Sequence, residues 1–192
     1  APVTPVAPAG LAVVRVAGAE ALAVVARMFR GADLAASPSH RAHHGWIVDA
    51  HEARIDEVVA LVFRAPHGYT GDDAVEVSCH GSPLVVEEIV AAAVAAGARV
   101  ADPGEFTRRA FSNGKLDLCQ AEAVADLIAS ESEAGRRAAL EQLRGSLSRR
   151  VQDVRGALVR LLADVEASID FVEEDVEFFD RGAAAGAARI AA

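Results

Sequence analysis

The chain is poor in the residues that the most familiar functional classes rely on. It has only two cysteines, Cys79 and Cys119. They are far apart and form no zinc pattern, so a disulfide framework is not available and a reducing compartment is implied. No run of about 18 uncharged apolar residues occurs; the most apolar stretch, 89–97, is too short to span a bilayer. Residues 1–10 carry Pro and Ala but no basic region ahead of an apolar core, so no secretory signal is expected. These absences point to a cytoplasmic setting without a membrane. No segment forms a basic stripe, and strong direct binding of DNA or RNA by this chain alone is not expected. The G-x-x-x-x-G-K-[ST] pattern is missing, which leaves no P-loop to cradle nucleotide phosphates. Six histidines are present, but His43 and His44 are adjacent and the set does not assemble a metal-ligand signature on a helix with a supporting acid, so a metal site is not expected. Ser78, Ser82 and Cys79 lie near His80 without a G-x-S-x-G elbow, which argues against nucleophilic hydrolysis. Lysine is the scarcest cation, one against 18 arginines, and the single Lys115 therefore invites a functional reading.

What is present is a folded chain of 192 residues, 52% hydrophobic and 24% charged, with a net charge of −9. At that size roughly 70% of the unfolded surface is buried on folding. An apolar run at 11–16 reads as a buried strand, followed by a helix over 20–29 and a polar, His-rich loop at 32–44. Strands at 45–50 and 57–63 form a hairpin. At 74–79 apolar and polar residues alternate with period 2, delivering His80 and Gly81 at the strand end. Ser82-Pro83 starts a helix over 83–96 that Gly97 stops. A short strand at 99–101 and a helix over 105–112 complete the pattern. The expectation is an α+β domain over 1–117, a mixed sheet of about five strands with helices on it.

Residues 118–192 read as all-α. Asp117 can cap a helix over 118–128, and Ser130 or Ser132 a much longer one. Leu140, Leu143, Leu147, Val151, Val154, Leu158, Leu161 and Val165 recur at spacings of three and four, a heptad seam. One helix over 133–168 would be about 54 Å long at 1.5 Å per residue, longer than a small domain is wide, so its stripe needs partners in this chain or another. An acidic, aromatic stretch follows at 170–180, then Ala/Gly-rich residues at 182–192 that resemble the start of a further helix.

Three residues stand out as candidate site residues. Glu76 sits on the pleat opposite Val75 and Val77 and can offer two parallel acceptors to an N–H edge such as that of a pterin; a solvated outward face is the competing reading. Arg15, inside Val13-Val14-Arg15-Val16, must reach solvent, a partner acid or an anionic ligand, since an unpaired buried charge is very costly. Lys115 follows the Asn113-Gly114 turn, either aimed at a cleft or simply solvated.

Taken in order, Thr4-Pro5, Gly10 to Gly18, Tyr69-Thr70-Gly71 with Asp73, Glu76 and His80-Gly81, Pro103-Gly104-Glu105-Phe106-Thr107, Asn113-Gly114-Lys115-Leu116-Asp117-Leu118, Gln120-Ala121-Glu122-Ala123, Ala125-Asp126-Leu127-Ile128 and Ala167 to Phe171 with Glu173-Glu174 make a specific pattern. It resembles the N-terminal region of the MnmE (TrmE) family of tRNA modification GTPases. The resemblance implies a folate-binding fold like that of the glycine-cleavage aminomethyltransferase, which also forms the family's homodimer. It places the contacts to 5-formyl- or 5,10-methylene-tetrahydrofolate on Arg15, Glu76 and Lys115, with no catalytic residue in this chain and no metal. On this reading 118–192 is the first part of a helical domain. GTP, Mg2+ and K+ would enter only through an inserted GTPase domain that is absent here, as is the family's C-terminal cysteine. The family's complete protein acts with the FAD-containing partner MnmG on wobble uridine 34 of tRNA, forming a 5-carboxymethylaminomethyl-type modification, and tRNA would be met only through that complex. Two departures stand out: the family's Pro-Pro-Gly-Arg-Gly-Gly reads Pro5-Val6-Ala7-Pro8-Ala9-Gly10, and its Gly-His-Gly-Gly reads Cys79-His80-Gly81-Ser82. Both stiffen loops where backbone approaches the ligand. They keep open two alternatives, a structural dimer module that has lost folate and a stand-alone aminomethyltransferase-like folate protein.

Overall fold

A computed structural model describes residues 1–170, with side chains through 167. The acidic, aromatic stretch from 171 to 180 and the Ala/Gly-rich 182–192 lie outside the described residues. The chain divides into two compact units, Ala1–Leu116 and a second that begins at Asp117.

The first unit runs β1 (Ala9–Ala17), α1 (Ala21–Met28), β2 (Phe29–Gly31), β3 (Arg41–Val48), β4 (Arg54–Phe63), β5 (Ala74–Gly81), α2 (Pro83–Ala95) and α3 (Glu105–Ser112). Its five strands form one sheet in the order β1-β5-β4-β3-β2. The α+β class and five strands agree with the sequence. The sheet is not mixed, however: every pairing is antiparallel. Nor is there a strand at 99–101, where the chain is irregular; the fifth strand is β2, three residues paired with Gly45, Trp46 and Ile47. The His-rich segment is only partly loop, because β3 begins at Arg41.

Alternation decides the two faces. Val14 and Val16 on β1 and Val75 and Val77 on β5 are buried in one cluster with Leu22 and Val25 of α1 and Val86 and Ile89 of α2. Burying such side chains contributes roughly 1.5–3 kcal/mol each. The intervening residues, Arg15, Glu76, Ser78 and Leu61, remain partly exposed on the other side of the pleat.

The second unit is helical: α4 (Leu118–Ala129), α5 (Glu133–Leu143) and α6 (Ser146–Asp170). Asp117 caps α4 through a reciprocal box, accepting from the Gln120 backbone N–H while the Gln120 side chain accepts from its own. Ser132 caps α5. The single long helix expected from the heptad seam is divided at Arg144-Gly145, where Gly145 adopts φ 80°. A left-handed residue cannot continue a right-handed helix, and glycine takes it with least strain. Among the described residues no helix is long and apolar enough to cross a membrane.

Candidate functional site

The register of β1 against β5 sets Arg15 directly opposite Glu76. Arg15 donates from Nε and Nη2 to one carboxylate oxygen, Glu76 Oε1, at 2.9 and 2.6 Å. The pair is mostly covered, with side chains 17% and 22% exposed. The Arg15 guanidinium also lies 5.1 Å from the Tyr69 ring centroid and 5.2 Å from that of Phe106. Two aromatic faces and a carboxylate thus fix its plane. Among the described residues Glu76 Oε2 has no hydrogen-bond partner, so this oxygen remains an acceptor.

Tyr69 belongs to the loop 64–73 that joins β4 to β5, and α3 with its following turn holds that loop. Tyr69 and Thr107 share a hydroxyl hydrogen bond of 3.0 Å. Asn113 donates to the Thr70 carbonyl at 2.7 Å and to Asp72 at 3.1 Å, and Arg109 donates to Asp72 at 3.3 Å. Lys115 Nζ donates to the Pro66 carbonyl at 3.0 Å. Gly71 adopts φ 81°, and a Cβ there would come within 3.1 Å of Asn113 Cβ and 3.2 Å of Lys115 Cγ. The turn can approach this closely only because the position is glycine. Arg15 and Glu76, both singled out in the sequence, are therefore in direct contact. Lys115 is joined to them through the loop, with Tyr69 at one end and Pro66 at the other.

Sequence reasoning missed Glu105. Its nearly buried carboxylate accepts from Arg99 at 2.8 and 2.6 Å, from Arg109 at 3.0 Å and from the Asp102 backbone N–H at 2.9 Å. The Arg99 hydrogen bonds, foremost, hold its pKa well below the usual carboxylate range. The i, i+4 spacing of Glu105 and Arg109 was the available signal. Beside this cluster is a cavity of about 300 Å³ between the end of β1, α1, the end of α2 and the start of α3. Arg15, Glu105, Phe106 and Arg109 line it; Glu76 and Lys115 do not.

A second unanticipated pair is His80 and Asp56. His80 Nδ1 lies 2.7 Å from one Asp56 oxygen, and its backbone N–H donates to the other at 2.8 Å. The side-chain bond to Asp56 raises the His80 pKa. Cys79 is buried, which pushes its thiol pKa up, against nucleophilic use. No group of three or more His, Cys, Asp or Glu among the described residues could hold a metal ion.

Comparison with known proteins follows the same division of the chain. Residues 1–115 match the family model described as GTP-binding protein TrmE N-terminus, and residues 118–191 match the MnmE helical domain. Proteins named tRNA modification GTPase MnmE are similar along most of the chain. That of Salinibacter ruber is 51% identical over 173 residues, covering 90% of this chain and 38% of the relative. That of Christiangramia forsetii is 47% identical over 181 residues, covering 93% and 38%. That of Symbiobacterium thermophilum is 47% identical over 171 residues, covering 88% and 37%. The chain therefore spans little more than a third of the length of these curated relatives. With both family domains in order along it, the chain belongs to the TrmE/MnmE family and corresponds to its N-terminal and helical portion.

Proposed function

We propose that this chain is the part of a tRNA modification GTPase that binds tetrahydrofolate and forms the homodimer. Residues 1–117 would act as the folate unit and 118–192 as the beginning of the helical domain. The observation that carries the reading is the Arg15–Glu76 pair, whose guanidinium lies near the Tyr69 and Phe106 rings and which is tied through loop 64–73 to Lys115. Glu76 would receive the N–H edge of the pterin, using Oε2 and the remaining lone pair of Oε1. Arg15 keeps that carboxylate oriented through its two hydrogen bonds, and Lys115 meets the carboxylates of the glutamate tail. In the complete protein a GTPase domain would supply GTP, Mg2+ and K+ chemistry. An FAD-containing partner would join it in modifying wobble uridine 34 in the cytoplasm, with folate as the one-carbon donor.

Calorimetric titration with 5-formyltetrahydrofolate tests this, with dimerisation followed by light scattering. Binding in the micromolar range that Glu76→Gln weakens by ten-fold or more supports the reading. The substitution removes one ionised acceptor, a change of about 1.5–3 kcal/mol. One observation favours a second reading, a structural dimer module: Glu76 already has its counter-ion without any ligand. A folded dimer that does not bind folate would establish that alternative.

A further inference from the structure

The cavity beside Glu105 takes no part in the proposed folate contacts of Glu76 and Lys115, neither of which lines it. Its volume of about 300 Å³ is at the lower end of small-molecule sites. Most of its wall is apolar: Val14 and Val16 of β1, Val24 of α1, Val90 and Val94 of α2 and Phe106 of α3 line it. Val94 and, in the irregular segment before α3, Val100 are 44% and 58% exposed. A hydrocarbon body lodged in the cavity would withdraw such side chains from water. The polar groups of the lining are matched unequally. Glu105 accepts four hydrogen bonds, two on each oxygen, from Arg99, Arg109 and the Asp102 N–H. A carboxylate has about four acceptor sites, so Glu105 has none left, and its depressed pKa keeps it from becoming a donor. The arginines are not used up. Arg109 directs Nε to Glu105 and Nη1 to Asp72; among the described residues its Nη2 has no acceptor. Arg15 directs Nε and Nη2 to Glu76, and its Nη1 likewise has none. Each of these two nitrogens carries two N–H groups. The remaining carboxylate of the lining, Glu20, is exposed. Unused capacity on the less exposed side chains is therefore donating and cationic, and it is set against an apolar wall.

We infer that this cavity is a second binding site, for a small monocarboxylate with a branched or cyclic apolar body, separate from the folate site and independent of the folate reading. The carboxylate accepts from Arg109 Nη2 and Arg15 Nη1, and the body covers the valines of α2 and the Phe106 ring. Hydrogen bonds between ions are stronger than neutral ones, so the acid is preferred to its amide. An amine finds no acceptor on Glu105, which is saturated. A carboxylate without an apolar body gains nothing from the wall.

The test is titration of the full chain with cyclohexanecarboxylate, followed by NMR through the backbone amides. Saturable shifts should centre on the lining residues Gly18, Gly97, Ala98 and Val100, with a Kd of about 1 mM or below. Cyclohexanecarboxamide, cyclohexylamine and acetate should each bind at least about ten-fold more weakly. Arg109→Gln should weaken the carboxylate by about ten-fold, but it also loosens Asp72 and Glu105. Val90→Phe, which fills the cavity and leaves every one of these hydrogen bonds in place, is the second variant and should abolish binding. Leu84→Gln, exposed at the start of α2 and outside the lining, should leave the affinity unchanged. The absence of saturable shifts at the lining amides of the native chain overturns the inference. So does acetate binding as tightly as cyclohexanecarboxylate, which would reduce the site to a general anion contact, or an affinity that survives Val90→Phe. Displacement of cyclohexanecarboxylate by 5-formyltetrahydrofolate would make the cavity part of the folate site and overturn its separateness. A chain that binds the carboxylate but no folate refutes the folate reading and supports this one.

Discussion

The two units are held by different means. The first is organised around side chains almost wholly withdrawn from water: Val14, Val25, Ile47, Val58, Val62, Val75, Val77 and Ile89 are each at most 2% exposed. In the second, Ala123 and Ala139 are the buried apolar residues among those described, while Leu147, Val151, Leu158, Val159 and Leu162 are 41–56% exposed. Apolar periodicity is present in both. It measures what a segment is able to bury, and burial itself depends on whether a second apolar face is supplied. The sheet unit supplies its own in α1 and α2. The exposed seam of α6 retains that capacity unused among the described residues.

Substitutions on the two sides should therefore differ most in stability. Ile89→Ala should destabilise the first unit by about 2–5 kcal/mol, since it leaves a cavity against the sheet. Leu158→Ala should change the stability of the second by no more than about 0.5 kcal/mol. The single tryptophan, Trp46 on β3, makes the first unit separately observable by fluorescence, while far-UV dichroism follows the helices. If Leu158→Ala proves as costly as Ile89→Ala, the contrast between the units is wrong and the α6 seam is covered in solution.

A pH titration sharpens the same contrast. Glu105 has a depressed pKa, so its contribution is present above the ordinary glutamate value of 4.5 and is lost as pH falls below it towards the folded-state value. Acid should weaken the Trp46-reported transition progressively below about pH 4.5. Glu105→Gln should lower stability at neutral pH and flatten that dependence. An unchanged acid profile in the variant would remove Glu105 as its source. A smaller loss than that of Ile89→Ala belongs to Gly145→Ala, which should cost about 1 kcal/mol through strain at positive φ. The loss should appear in the dichroism melt and leave Trp46 unmoved. A gain in helicity and melting temperature would mean that α5 and α6 can join as the heptad spacing suggests.

These outcomes bear on what could be read from the sequence. The period-2 alternation at β5, the Pro83 start of α2 and the Asp117 cap are local signals, and the structure agrees with them. β2 has only three residues, too few for a period, and the apolar character of 99–101 was mistaken for pairing that no neighbouring strand provides. The break at Gly145 escaped because spacings of three and four pass through a glycine without registering its dihedral angles. At the candidate site, residue types were legible and partnerships were not. Arg15 and Glu76 are 61 positions apart, and only the β1–β5 register reveals that they face one another. Asp56 and His80 were hidden for the same reason.

The Arg15–Glu76 pair has one more consequence, for how the sheet finds its alignment. Side chains alternate across a strand, so a slip of β1 by one residue would move Arg15 to the face that holds Val75 and Val77 and separate it from Glu76. An unpaired guanidinium in that core is a severe penalty, much larger than the difference between one set of valine contacts and another. Val13, Val14 and Val16 are near-interchangeable as strand residues and discriminate poorly between registers. The ion pair makes the misaligned states costly, so the same two residues that shape the candidate site also act as a checkpoint for strand alignment during folding.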